Sequence, residues 1–229
     1  MAKLYSRRAI LAQIALGTGV AGAGFPVSHA FAASDDRPWA FFTDDEARWT
    51  AAVADVFIPQ DEFPSASQAG VVDFIDFQMA TAYGAGEGLY LDPPFPAGAL
   101  AEQGYQLEFT PAQLLRQGIE QARQLGDIAT MDAPARADHV EEMSNRDDIT
   151  GTLIVELWKL TKQGYFADPI YLGNHDYAGW RMVGFPGAHA YYTERVDAHK
   201  RSVTPPPRGI AHDRDGSPYP PRAIGGGSD

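Results

Sequence analysis

Cysteine is absent from all 229 residues. That excludes disulfides, thiolate-held zinc, iron–sulfur clusters and covalently attached c-type haem in this chain. A chain of this length buries enough apolar surface to fold without cross-links. Positive charge is also scarce. Lys and Arg number 18 against 30 Asp and Glu, for a net charge of −12. Lys3, Arg7 and Arg8 are the charged residues of the first 32, so the remainder carries −15. Such a surface repels phosphate backbones and anionic lipid, which argues against nucleic acid as a partner. Catalytic motifs are missing too: the chain has no HExxH, no GxSxG and no phosphate loop. No stretch of useful length alternates apolar and polar residues at period two, so strands are not expected.

The first 32 residues read as an export leader. Ser6-Arg7-Arg8 followed by an apolar run fits the twin-arginine pattern, and Ala30 and Ala32 place small residues where a signal peptidase needs them, with cleavage after Ala32. The alternative is an uncleaved membrane anchor, since residues 9–34 carry no Lys, Arg, Asp or Glu. Gly17, Gly19, Gly22, Gly24 and Pro26 argue against a stable span. Gly17, Gly19 and Gly22 also spell GxGxxG, but inside a leader that spelling carries no dinucleotide role. Once a leader is recognised, the acidity of the rest reads as solubility in an exported protein.

Behind the leader the periodicity is helical. Thr43 and Glu46 form a capping box for a helix over 42–58, with Trp49, Val53, Val56 and Phe57 on its apolar side and Pro59 as its stop. Residues 60–69 are a polar turn. A second helix over 69–82 turns Val71, Phe74, Ile75, Met79 and Ala82 inward, and Asp73 and Asp76 share the opposite, solvated face. Residues 83–109 are too rich in proline and glycine for regular structure, yet Tyr90, Phe95, Tyr105 and Phe109 give them packing capacity as a contact surface. Thr110-Pro111 opens a helix with Leu114, Gly118, Ala122 and Leu125 as its buried stripe. Asp132-Ala133-Pro134 restarts one to about Met143, and 150–163 forms another with Leu153, Leu157 and Leu160 inward. The expected fold is all-α, a single domain over 33–203 of about five helices joined by long ordered loops. Residues 204–229 read as an extended tail rich in proline and glycine, disordered or draped on a partner.

The most informative stretch is 164–187, GYFADPIYLGNHDYAGWRMVGFPG. It combines turn-forming residues with Tyr165, Phe166, Tyr171, Tyr177, Trp180 and Phe185. Asp168, Asn174 and Asp176 are expected to fix its turns, along with Pro169 and Pro186. Tyr165, Phe166, Tyr171, Trp180 and Phe185 are expected to anchor a partner. Six histidines are scattered along the chain: His29, His139, His175, His189, His199 and His212. Only His175-Asp176 forms a tempting acid–base pair. An adjacent pair on a loop could orient a proton acceptor, but the preferred reading is that the two close local hydrogen bonds in a turn.

Four separated blocks carry a resemblance: FFTDDEARWTAAVADVFIPQDEFP, AGVVDFIDFQMA, QGYQLEFTPAQLLRQGI and YFADPIYLGNHDYAGWRMVGFPGA. Together they resemble the gluconate 2-dehydrogenase subunit 3 family over roughly 40–200. The resemblance implies a non-catalytic small subunit of a membrane-associated bacterial dehydrogenase, with no catalytic, cofactor or metal site of its own. The FAD and the substrate would sit in a large subunit similar to glucose–methanol–choline oxidoreductases. A multihaem cytochrome c subunit would take the electrons onward. The small subunit would carry a signal-less large subunit through the twin-arginine translocase to the periplasm. Where the family-like turn reads YGGN, this chain has YLGN, so Leu172 replaces a glycine and lowers backbone freedom there. Two other readings stay open: a subunit that shapes a quinone or substrate channel, and a free-standing periplasmic binding protein.

Overall fold

The computed structural model describes residues 38–95, 105–188 and 206–210. The leader residues Ser6, Arg7, Arg8, Ala30 and Ala32, the GxGxxG stretch and the chain after 210 lie outside the described residues. The fold is all-α. Among the described residues six α-helices run in the order α1 (Asp44–Phe57), α2 (Val71–Met79), α3 (Pro111–Leu125), α4 (Ala133–Ser144), α5 (Ile149–Phe166) and α6 (Ala178–Val183). Among the described residues there is no strand, only one isolated parallel bridge between Gly187 and Arg208. No helix of the described residues is long and apolar enough to cross a membrane.

The helix starts follow from side chains that reach the first free N–H groups. Thr43 Oγ1 accepts from Glu46 N, while Glu46 accepts from Thr43 N at 2.8 Å. Thr110 and Gln113 repeat the same reciprocal pair two helices later, at the start of α3, with Pro111 at the first turn. Asp132 caps α4 and Asp148 caps α5.

Helix α5 is the hub, and each of the other five helices packs on it. Leu153, Leu157 and Leu160 are its inward face, all buried. Gly118 of α3 lets that face approach closely, since a Cβ there would lie 2.9 Å from Leu153 Cβ. Trp49, Val53, Ile75, Leu115, Ile119 and Met143 complete the core.

Several expectations need correction. Leu125, read as part of the buried stripe of α3, is 41% exposed, and α5 runs to Phe166 rather than ending at 163. Helix α2 stops at Met79 and leaves Ala82 exposed beyond it. Asp73 and Asp76 do not lie on a solvated face; they are 2% and 5% exposed. Asp76 is buried because the chain ahead of α1 folds over it. Its carboxylate accepts from Ala40 N at 2.9 Å, Phe41 N at 2.9 Å and Phe42 N at 3.0 Å. Three backbone donors replace the water that a buried carboxylate loses.

Glu46 ties α1 to α3 through Arg116, which also bonds Phe41 O and lies over the Phe41 ring. Burial pushes the Glu46 carboxyl up. Hydrogen bonds from Thr43 N–H, Arg116 and the Thr43 hydroxyl outweigh it and hold the group below its ordinary 4.5. A carboxylate lowered by folding stabilises the protein above its unfolded-state pKa, and that contribution fades as pH falls through the folded value. Glu46→Gln is therefore expected to melt lower than the native chain near neutral pH, with the gap closing as pH drops below about 4.5. Thermal melts across a pH series read this directly, and a gap independent of pH contradicts it.

Candidate partner-docking site

The last carbonyls of a helix have no partner within it. At the end of α5 the following loop supplies them. Ala167 leaves the helix in extended conformation. The chain then doubles back, and Asn174 Nδ2 donates to Ala167 O at 2.7 Å while its Oδ1 accepts from Gly179 N at 2.8 Å. Trp180 Nε1 donates to Phe166 O at 2.8 Å. Side chains at Gly173 and Gly179 have no room, because a Cβ would lie 2.3 Å from Gly164 O and 2.1 Å from Tyr165 O. The loop is thus a tertiary cap on the central helix.

Reaching that arrangement strains the backbone. Leu172, Asn174, Asp176 and Tyr177 all have positive φ, between 51° and 73°. Asn and Asp tolerate this region; Leu and Tyr do so at about 1–2 kcal/mol each. The stretch expected to be a loop also contains order. Two short 3₁₀ turns, Pro169–Tyr171 and His175–Tyr177, precede the six-residue α6. Asp168 Oδ1 accepts from Ile170 N at 3.0 Å and closes the first turn.

The candidate residues separate by exposure. Tyr165, Pro169, Asn174 and Trp180 are buried within the chain. Tyr165 Oη donates to Pro64 O at 2.8 Å and pins the 60–69 turn. Trp180 stacks on Tyr177, with centroids 5.3 Å apart, and meets Phe185 edge-on at 5.1 Å. Asp168, Tyr171 and Pro186 are half-buried; Phe166, Asp176 and Phe185 face solvent.

His175 and Asp176 differ in exposure. His175 is buried against Gly70, and its Nε2 donates to Leu172 O at 2.9 Å. Asp176 is exposed and pairs with Arg181 at 2.8 Å. Among the described residues no group of three or more His, Asp or Glu is placed to hold a metal ion. The 83–109 connection, of which 96–104 lie outside the described residues, is tied down at Tyr83, whose hydroxyl donates to Glu156 on α5. Burial and Glu156 keep that phenol protonated well above its usual range, and push Tyr105 up to about 12.

Sequence reasoning missed two residues of the outer face. Val155 is 64% and Trp158 41% exposed on α5, in line with Phe166 at 38%. Steps of three to four residues put 155, 158, 162 and 166 on one side of a helix. Lys162 Nζ sits 4.7 Å above the Trp158 ring. The signal was present: with Leu153, Leu157 and Leu160 inward, apolar residues at 155 and 158 make the outer side too apolar for a solvated helix.

A family model described as gluconate 2-dehydrogenase subunit 3 matches residues 44–187. The chain belongs to the gluconate 2-dehydrogenase subunit 3 family. No curated protein and no solved structure matches it. Family membership makes the chain a subunit of a multi-subunit gluconate dehydrogenase complex. The matched segment opens with the first residue of α1 and closes at the glycine that meets Arg208. This subunit 3 chain holds Leu172 at φ 73°. Because a β-branched side chain is worst suited to that region, Leu172→Ile is expected to be less stable than Leu172→Gly by about 1–2 kcal/mol. Denaturant unfolding of the two variants measures the difference, and equal stabilities contradict it.

Proposed function

We propose that this subunit is a non-catalytic escort and stabiliser of a FAD-containing, glucose–methanol–choline-type large subunit. In this reading it leads that partner through the twin-arginine translocase, and the assembly passes electrons to a multihaem cytochrome c subunit in the periplasm. The observation that carries the proposal is the apolar outer stripe of α5: Val155, Trp158 and Phe166 exposed on the helix every other helix packs against. Phe185, exposed and edge-on to the buried Trp180 ring, adds a further exposed aromatic from the loop that caps α5. A contiguous exposed apolar surface on a well-packed domain marks a protein contact. Aromatic anchors at its centre account for most of the binding energy.

One further observation favours an escort over a catalytic role. The clefts along α1, of about 510 Å³ and about 210 Å³, are lined largely by charged and polar side chains such as Glu46, Arg116, Arg123, Arg48 and Asp55. A quinone ring needs apolar walls. Export of folded proteins gives the proposal its logic: a partner without a leader crosses only while docked, which requires an apolar, long-lived interface.

The test is to produce the large flavoprotein with the native subunit, without it, and with a Trp158→Ser/Phe166→Ser double variant. Periplasmic flavin-dependent dye reduction is expected only with the native subunit. The double variant should keep its helical circular dichroism and bind the flavoprotein at least about a hundredfold more weakly. Equal periplasmic activity in all three strains overturns the proposal.

A further inference from the structure

The family segment ends at Gly187, yet the structure continues to use the chain beyond it. Leaving the loop at Ala188, the chain returns at 206–210 and lies along it. Ala188 N donates to Arg208 O at 2.6 Å, and Arg208 N donates to Pro186 O at 3.2 Å. Gly209 N donates to Tyr177 Oη at 2.8 Å, and Ile210 N to Asp168 Oδ2 at 2.7 Å. The fit leaves no room for a Cβ on Gly187 and little for one on Gly209. A Cβ on Gly187 would lie 2.2 Å from Arg208 O, and one on Gly209 would lie 3.0 Å from Asp168 Oδ1 and 3.1 Å from Tyr177 Oη.

Both side-chain acceptors belong to the loop that caps α5. Asp168 holds the loop's first turn through Oδ1 and the returning chain through Oδ2. Tyr177 has positive φ, immediately precedes α6 and stacks on Trp180. Helix α6 has no side-chain cap at its start, and six residues are too few to be stable alone. What keeps the strained residues and α6 in place must come from contacts outside them.

We propose that residues 206–210 are a clasp that locks the left-handed loop and α6 over the end of α5. The four hydrogen bonds join the loop's first turn, its strained residue ahead of α6 and its exit at 186–188 into one cooperative unit. Without them the loop opens locally while the core helices stay folded. The clasp concerns this chain alone and holds whatever partner docks. It also assigns the C-terminal extension a role inside the chain before any partner arrives.

Amide hydrogen exchange on the full-length chain tests this, comparing native, Tyr177→Phe, Gly209→Val and Ile210→Ala proteins. Tyr177→Phe keeps the ring that stacks on Trp180 and removes the acceptor for Gly209 N–H. Exchange at 178–184 and 208–210 is expected to accelerate about tenfold or more, while α3 and the middle of α5 stay within about a factor of two. Gly209→Val should give the same local pattern. Ile210→Ala keeps the backbone donor and trims an exposed side chain, so it should match the native chain. Unchanged exchange at 178–184 in Tyr177→Phe overturns the clasp, and so does uniform acceleration through all helices. If Gly209→Val fails to fold, Tyr177→Phe decides alone.

Discussion

The carbonyl groups that helix α5 leaves unpaired at its end set the path of the chain over 167–180. Water would satisfy them if the helix ended at the surface. Here it ends under the loop, so Asn174 and Trp180 must come back to donate to Ala167 O and Phe166 O. That return forces left-handed backbone at four non-glycine residues and brings glycines against Gly164 O and Tyr165 O. Because α5 packs on every other helix, the loop is fixed relative to the whole domain. A long, turn-rich segment is thereby tied to the core it covers.

That constraint divides the aromatic residues of the loop between two duties. Tyr165 and Trp180 face inward, where their polar atoms meet Pro64 O and Phe166 O. Phe166 and Phe185 face outward and extend the exposed line begun by Val155 and Trp158. The inward set orders the surface and the outward set presents it. A rigid apolar face binds without the ordering penalty that a flexible loop would incur on association. This fits a subunit whose family is defined by membership in a complex.

Much of this was legible in the sequence, for local reasons. The capping box at Thr43 and Glu46 and the Thr110-Pro111 start are short-range chemistry, and the helices begin where those residues say. Leu153, Leu157 and Leu160 marked the inner side of α5 through spacing alone. The misses are partly long-range and partly local. Asp76 reads as solvated until the chain 34–36 residues earlier delivers its N–H groups. Helix α5 runs on to Phe166 because Gly164 is tolerated inside a packed helix, although glycine normally signals a break. Helix α6 is too short for periodicity to reveal. Trp180 looked like an anchor for a partner because its ring is large, and only the position of Phe166 O shows that it is an anchor for its own chain. The family resemblance, carried by four blocks, agrees with the matched segment 44–187.

The central claim is that the loop's inner face belongs to the fold and its outer face to a partner. Hydrogen exchange of the isolated subunit and of the assembled complex separates the two directly. The account predicts new protection on assembly along 155–166 and 183–186, with the amides of Tyr177 and Gly179 protected equally in both states. New protection confined to 174–180, with 155–166 as open in the complex as alone, would contradict it.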